Sequence, residues 1–94
     1  NAKGTTGRFL ATAIYKAGYK VGHYTSPHIL KLNERIWLNG IDVDTKTLNF
    51  YHEKFQKIIS QKDSCELSYF EYITFLTMLI FNKCDYIILE AGLG

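Results

Sequence analysis

Three segments of the chain repeat apolar residues every three to four positions, which is the spacing of one face of an α-helix. They run from Thr5 to Ala17, from Thr45 to Ser60 and from Ser68 to Asn82. Gly18 directly follows the first segment and is a typical helix stop. The third segment is apolar on most sides, so we expect a helix that lies inside the protein rather than on its surface.

The other apolar stretches have the pattern of strands. Tyr19–Tyr24 reads as a short strand, while Arg35–Leu38 and Ile41–Asp44 flank Asn39-Gly40, a strong signal for a two-residue hairpin. Asp85–Glu90 is a continuous apolar strand of the kind that parallel sheets bury on both faces. Helices and strands alternate, which predicts an α/β fold of P-loop type: a mainly parallel sheet with flanking helices.

Composition narrows the class of protein. The 94 residues are 47% hydrophobic and 21% charged, which is typical of a folded chain and excludes intrinsic disorder. A net charge of +2 gives no electrostatic reason to expect nucleic acid or an anionic membrane as partner. Cys65 and Cys84 lack metal-ligand spacing and are too few for a disulfide scaffold, so we expect free thiols and a cytoplasmic protein. No apolar stretch reaches the ~20 residues of a membrane span.

The first residues, Asn1-Ala2-Lys3-Gly4-Thr5-Thr6, open directly into a predicted helix. Small residues before a helix N-terminus, with a Lys and hydroxyls, suit a loop that binds phosphate. Ala2 stands where the second glycine of the full pattern is expected, and Gly4 stands where a hydroxyl usually follows the Lys. The same residues fit an exposed helix cap, with Thr5 or Thr6 as N-cap, and the pattern alone does not separate the two interpretations.

Three further motifs have both a chemical and a structural interpretation. Glu90 ends an apolar strand as the metal-binding acid of nucleotide-binding sheets does, or it is a solvent-facing acid. Thr25–His28 follows a strand and offers hydroxyls to Mg²⁺, or it is a plain turn. Ser68–Glu71 has the Ser-x-x-Glu spacing of a capping box, with two aromatic rings that suit a flat heteroaromatic ligand. We assign no function to His23 or His52 and expect strand or surface positions.

Four stretches, taken in order, resemble a known family. They are Asn1–Thr6, Tyr24–His28 with Asn33–Ile36, Leu67–Glu71, and Leu89–Gly94. Together they resemble folylpolyglutamate synthase and the bifunctional dihydrofolate synthase, which belong to the Mur ligases. The resemblance covers essentially all 94 residues. It implies that residues 1–94 are part of an N-terminal ATP-binding domain, with the C-terminal domain absent. We expect the isolated piece to be inactive.

The resemblance also implies an activity: an ATP-dependent ligase that joins L-glutamate to a folate or dihydropteroate carboxylate through an acyl phosphate. We expect ATP and Mg²⁺ as cofactors and a monomer as the assembly. By carry-over, Lys3 would be catalytic at the β/γ-phosphates, and Ser26 and Glu90 would hold the metal, with Thr5 as an additional candidate. The nucleotide would be bound by Asn1, Ala2, Lys3, Gly4, Thr5 and Thr6, and the pterin substrate by Ser68, Tyr69, Phe70 and Glu71.

Three alternatives compete with this interpretation. The first is another amide ligase of the Mur family, which Gly4 disfavours because those enzymes usually place Ser or Thr after the loop Lys. The second is a non-catalytic nucleotide-binding module built on Gly92-Leu93-Gly94. The third is an α/β interaction domain without a ligand.

Overall fold

A computed structural model describes residues 2–25, 32–59 and 66–90, with side chains from Thr6 onward in the first range. Its helices are α1 (Ala2–Lys16), α2 (Leu32–Arg35), α3 (Thr45–Ile58) and α4 (Tyr69–Ile80). Its strands are β1 (Val21–Thr25), β2 (Ile36–Leu38), β3 (Ile41–Asp42) and β4 (Tyr86–Glu90). The predicted helices and strands are therefore all present, with ends that differ by a few residues.

The four strands form one mixed sheet in the order β3-β2-β1-β4. β1 runs parallel to β4, with Thr25 opposite Glu90, whereas β1 and β2 are antiparallel, as are β2 and β3. The α/β class is confirmed, but the mainly parallel sheet needs correction, since a single described pairing is parallel. The reason is the hairpin, because a two-residue turn returns the chain antiparallel to itself.

The predicted hairpin turn is confirmed at Asn39 and Gly40. Both residues have positive φ, 48° and 100°, as the two central positions of a type I′ turn require. The Asn39 side chain also fixes the turn to the neighbouring strand: its Oδ1 accepts from the Val21 N–H at 2.8 Å, and the Asn39 N–H donates to the Val21 carbonyl at 2.9 Å.

Two apolar clusters hold helices against opposite faces of the sheet. Ala11 of α1 packs with Val21 and Trp37 on one face. The larger cluster joins α3 and α4 to the other face and contains Tyr24, Ile36, Val43, Leu48, Phe55, Ile73, Leu76, Ile80 and Phe81. Alternation along β1 explains the division, since successive residues of a strand point to opposite faces. Val21, His23 and Thr25 therefore share the face that α1 covers.

Burial differs from expectation at α4 and β4. On α4, Ile73, Leu76 and Ile80 are buried, but the ring of Phe75 is 53% exposed because the helix packs on one side only. β4 forms as predicted; within the described residues it lies at the end of the sheet and is not buried on both faces, since Leu89 is 62% exposed. Within the three described ranges, no helix combines the length and hydropathy needed to cross a membrane.

Candidate functional site

The candidate site lies where the carboxyl ends of β1 and β4 meet the amino-terminal half of α1. The parallel register places Thr25 beside Glu90, and α1 packs on both strands. Contact with the helix is close at Gly7, where a Cβ atom would lie 2.1 Å from Glu90 Oε1. An open pocket of about 450 Å³ is lined by Thr6, Gly7, Ile88, Leu89 and Glu90. Carboxyl ends of parallel strands are where α/β proteins bind ligands.

The Glu90 carboxylate is held by a buried histidine. His23 is 1% exposed, and its Nε2 lies 2.9 Å from Glu90 Oε1. Burial lowers the pKa of His23 from its ordinary value of 6.5; the hydrogen bond to Glu90 opposes this shift, and the nearby charge of Arg8 adds to it. The imidazole is therefore neutral at pH 7. Its contact with Glu90 is a hydrogen bond from a neutral ring to a carboxylate, not a pair of opposite charges.

Arg8 lies on the other side of the histidine ring. Its Nε donates to His23 Nδ1 at 3.2 Å, its guanidinium carbon lies 4.9 Å from the centre of the Trp37 ring, and its Nη2 is 4.0 Å from Asp42 Oδ1. The aromatic face and the carboxylate both favour a cation at this position. α1 and the sheet thus form a continuous chain of contacts: Arg8, His23 and Glu90.

Of the predicted nucleotide-binding residues, Ala2 to Thr6 lie at the start of α1. Residues from Ala2 onward are helical, so the alternative in which Thr5 or Thr6 caps the helix is wrong. The first four backbone N–H groups of a helix have no partner within it and attract anions, and the first turn carries no acidic residue. Lys3 precedes Gly7 by four residues, which places its backbone on the same helix face, about 6 Å along the axis.

Several predicted residues cannot be placed. Asn1 and Ser26, like the glycines Gly92 and Gly94, lie outside the described residues, and the side chains of residues 2–5 are not described. Of the two predicted metal ligands, Glu90 alone is therefore located. Over residues 2–25, 32–59 and 66–90, no three His, Cys, Asp or Glu side chains gather into a metal-binding cluster.

The Ser68–Glu71 turn forms the predicted capping box at the start of α4. Ser68 Oγ accepts from the Glu71 N–H at 3.1 Å, and Glu71 Oε1 accepts from the Ser68 N–H at 2.9 Å. Both side chains therefore stabilise the helix, while the rings of Tyr69 and Phe70 are 68% and 56% exposed. α4 packs against α3, and the contacts described for Glu90 connect it to α1 and β1 rather than to this turn.

Two histidines had no predicted role, and the structure separates them. His52 is exposed on α3, where its Nδ1 lies 2.8 Å from the Tyr72 hydroxyl. His23 is buried beside Glu90, a position that the sequence patterns did not indicate. The strand pattern offered one usable signal: Val21, His23 and Thr25 alternate along β1, so the imidazole lies on the same face of the strand as Thr25 at its carboxyl end. No pattern in the sequence indicated which carboxylate it would meet.

Comparison with known proteins gives a consistent result, although no protein-family model matches the chain. The dihydrofolate synthase/folylpolyglutamate synthases of Buchnera aphidicola subsp. Schizaphis graminum and of Escherichia coli are 42% and 38% identical to it over 96 residues. Each alignment covers 100% of this chain and 22% of the relative. The chain therefore spans less than a quarter of the length of these curated relatives.

Solved structures show the same likeness in three dimensions. Helicobacter pylori folylpolyglutamate synthetase matches with a TM-score of 0.84 at 44% identity, over 100% of this chain and 24% of that one. Escherichia coli FolC in complex with DHPP and ADP matches with a TM-score of 0.79 at 35% identity, over 100% of this chain and 22% of that one.

A third structure is a bifunctional folylpolyglutamate synthase/dihydrofolate synthase with Mn, AMPPNP and L-glutamate bound. It matches with a TM-score of 0.76 at 32% identity, over 100% of this chain and 23% of that one. Sequence and fold thus agree along the whole length of the chain. Along its whole length the chain is similar to part of the dihydrofolate synthase/folylpolyglutamate synthases.

Proposed function

We propose that this chain supplies nucleotide- and metal-binding residues to a cytoplasmic, monomeric, ATP-dependent ligase that joins L-glutamate to a folate or dihydropteroate carboxylate. The observation that carries the proposal is the likeness over all 94 residues to the dihydrofolate synthase/folylpolyglutamate synthases, one of which holds AMPPNP, Mn and L-glutamate. In this proposal residues 1–94 are part of an N-terminal ATP-binding domain.

The chemistry of such a ligase sets the demands on the site. The substrate carboxylate attacks the γ-phosphorus of ATP and ADP leaves, which gives an acyl phosphate; the amine of L-glutamate then displaces phosphate and forms the amide. The first step brings an anionic nucleophile to an anionic phosphate, so cations and N–H donors must offset the charge. Lys3 would supply a cation to the β/γ-phosphates, as the catalytic residue, and the N-terminal backbone of α1 would supply donors.

The residues at this edge of the sheet also fit a divalent cation. Mg²⁺ prefers oxygen ligands and is usually bound by one or two carboxylates together with phosphate oxygens and water. A carboxylate has about four lone-pair sites, so Glu90 can accept from His23 at Oε1 and still bind a cation. We assign Glu90 and Ser26 as the protein ligands, with Thr5 as an additional candidate. The cation would neutralise phosphate charge where the nucleophile approaches.

For the pterin part of the substrate, we propose the turn at the start of α4. The exposed rings of Tyr69 and Phe70 offer apolar surface for stacking on a flat heteroaromatic ring. Ser68 and Glu71 form the capping box, so in this proposal they position the turn and leave the ring contacts to its two aromatic residues.

The test is nucleotide binding by the complete protein that contains this chain. Lys3→Ala should weaken AMPPNP binding, and Glu90→Gln should remove the increase in AMPPNP affinity that Mg²⁺ produces, with the fold unchanged by circular dichroism. His52→Leu, which alters an exposed histidine on α3, is the matched control and should bind as the parent protein does. Undiminished, Mg²⁺-dependent binding in both Lys3→Ala and Glu90→Gln would refute the proposal.

A further inference from the structure

The contacts of His23 determine which of its ring nitrogens carries the proton. An arginine side chain has only donors, so the Arg8 Nε, 3.2 Å away, makes Nδ1 of His23 an acceptor. The carboxylate oxygen Glu90 Oε1, 2.9 Å from Nε2, is an acceptor, so the ring proton must be at Nε2. A ring with its proton on Nδ1 would instead meet Arg8 with a donor and Glu90 with a lone pair, and both contacts would be repulsive.

The surroundings keep this arrangement rigid. His23 lies in the middle of β1, 1% exposed, with Ile88 of β4 beside it and α1 above it. Gly7 of α1 confines the pair from the helix side, because a Cβ at that position would be 2.8 Å from His23 Nε2 and 2.1 Å from Glu90 Oε1. The Thr25 hydroxyl is the second polar group near Nε2, at 3.4 Å. The ring can therefore neither rotate freely nor exchange its partner for water.

We infer that His23 is a positioning residue: its Nε2–H, fixed by Arg8 at Nδ1, aims the Glu90 carboxylate at the metal ion. This inference rests on the proposed function, in which Glu90 holds the metal. Groups that hydrogen-bond to a metal ligand orient it, and their loss typically costs about 10–100-fold in metal affinity. A glutamate side chain has several rotamers, and the hydrogen bond selects one of them before the cation arrives.

The test measures metal binding directly, in the complete protein that contains this chain. Mn²⁺ is titrated in the presence of AMPPNP, and the bound ion is followed by electron paramagnetic resonance. His23→Leu removes the N–H and should weaken Mn²⁺ binding about 10–100-fold. His23→Gln can place its amide N–H near the position of Nε2 and should recover most of the affinity. Arg8→Met keeps an aliphatic stem for Trp37 but removes the Nε donor, and we expect a smaller loss.

A spectroscopic measurement reports the tautomer without reference to activity. In ¹⁵N spectra of the histidine rings, His23 of the parent protein should show a protonated Nε2 and an unprotonated Nδ1. In Arg8→Met the signal should shift toward a mixture of the two tautomers. The control is His52→Leu, the same chemical change at an exposed site on α3, which should leave both Mn²⁺ affinity and the His23 signal unchanged.

The outcomes separate the inference from the proposed function. If Glu90→Gln weakens Mn²⁺ binding while folded His23→Leu does not, the positioning role is overturned and the proposed metal site stands. Equal losses in folded His23→Gln and His23→Leu would also overturn it, since donation from Nε2 would then not be what matters. If Glu90→Gln leaves Mn²⁺ binding intact, the proposed function itself fails. If His23→Leu does not fold, His23→Gln and Arg8→Met still test the inference. A parent-like tautomer of His23 in Arg8→Met would refute the role of Arg8.

Discussion

The approach of α1 to Glu90 leads to a prediction for Gly7→Ala. The new Cβ would lie 2.1 Å from Glu90 Oε1 and 2.9 Å from Cδ, whereas ordinary van der Waals contact begins near 3.4 Å. The carboxylate must therefore move by roughly 1 Å, well beyond the ~0.5 Å tolerance of a metal or catalytic site. The buried ring of His23, at 2.8 Å from the same Cβ, restricts the directions in which it can move.

Stability should change much less than binding. Alanine inside a helix is about 1 kcal/mol more favourable than glycine, while overpacking typically costs about 1–3 kcal/mol. The atom that clashes most is at the end of a glutamate side chain that is 18% exposed and can turn toward solvent, whereas the buried His23 ring at 2.8 Å cannot, so the overpacking cost should lie near the middle of that range. The gain in helix propensity offsets part of this cost, and we expect a net change below about 2 kcal/mol.

The assay compares the thermal midpoint with Mn²⁺ affinity in the presence of AMPPNP. Gly7→Ala should lower the midpoint only modestly and lose about 10–100-fold in Mn²⁺ affinity. Gly18→Ala is the converse control: Gly18 has φ +104° and no atom within 4 Å of a built Cβ, so alanine there is strained but touches nothing. It should lower stability by about 1–2 kcal/mol and leave Mn²⁺ binding unchanged. Parent-like Mn²⁺ affinity in Gly7→Ala would refute the close approach of α1 to the carboxylate.

Three further predictions concern stability. Gly22→Ala should destabilise the protein by about 1–3 kcal/mol in urea unfolding, because its Cβ would lie 2.5 Å from the ring of Phe81, which is 1% exposed and cannot move aside. Ser68→Ala should cost about 1 kcal/mol in the same assay and leave Mn²⁺ binding intact, since it removes a helix cap. The hydrogen bond from Thr47 lowers the pKa of Asp44 from 3.8. The contribution of Asp44 to the free energy of unfolding is therefore complete above pH 3.8 and is lost as pH falls through the lowered pKa. Asp44→Asn should accordingly reduce the dependence of stability on pH in acid unfolding.

Features that depend on neighbouring residues in the sequence were predictable. The Asn39-Gly40 turn follows from the tolerance of those two residues for positive φ, and the Ser68 cap follows from the spacing of its two polar side chains. The placement of Glu90 at the carboxyl end of a strand also follows, because the apolar run after Asp85 ends at this acid, whereas the neighbouring strand did not follow from the sequence.

Features that depend on distant contacts were not predictable. The apolar residues of β4 predict a strand buried on both faces, yet Leu89 is 62% exposed among the described residues. The sequence pattern indicates that a strand is apolar, but not which elements pack against it. For the same reason α4 was expected to lie inside the protein, whereas the ring of Phe75 is 53% exposed. His23 was missed because its role exists only through Arg8 on one side and Glu90 on the other. Neither contact leaves a spacing that can be read from the chain.

The parallel pairing of β1 with β4 has a consequence for the order in which the protein folds. The hydrogen bond from His23 to Glu90 joins residues 67 positions apart, so no short stretch of chain can form the site by itself. Distant parallel pairings form slowly, because the entropy of closing the loop is lost before the contacts are gained. A ligand bound at this edge would therefore stabilise the whole pairing of the two strands. Completion of the fold and completion of the site are then one event, and the folding rate sets how soon the protein can bind.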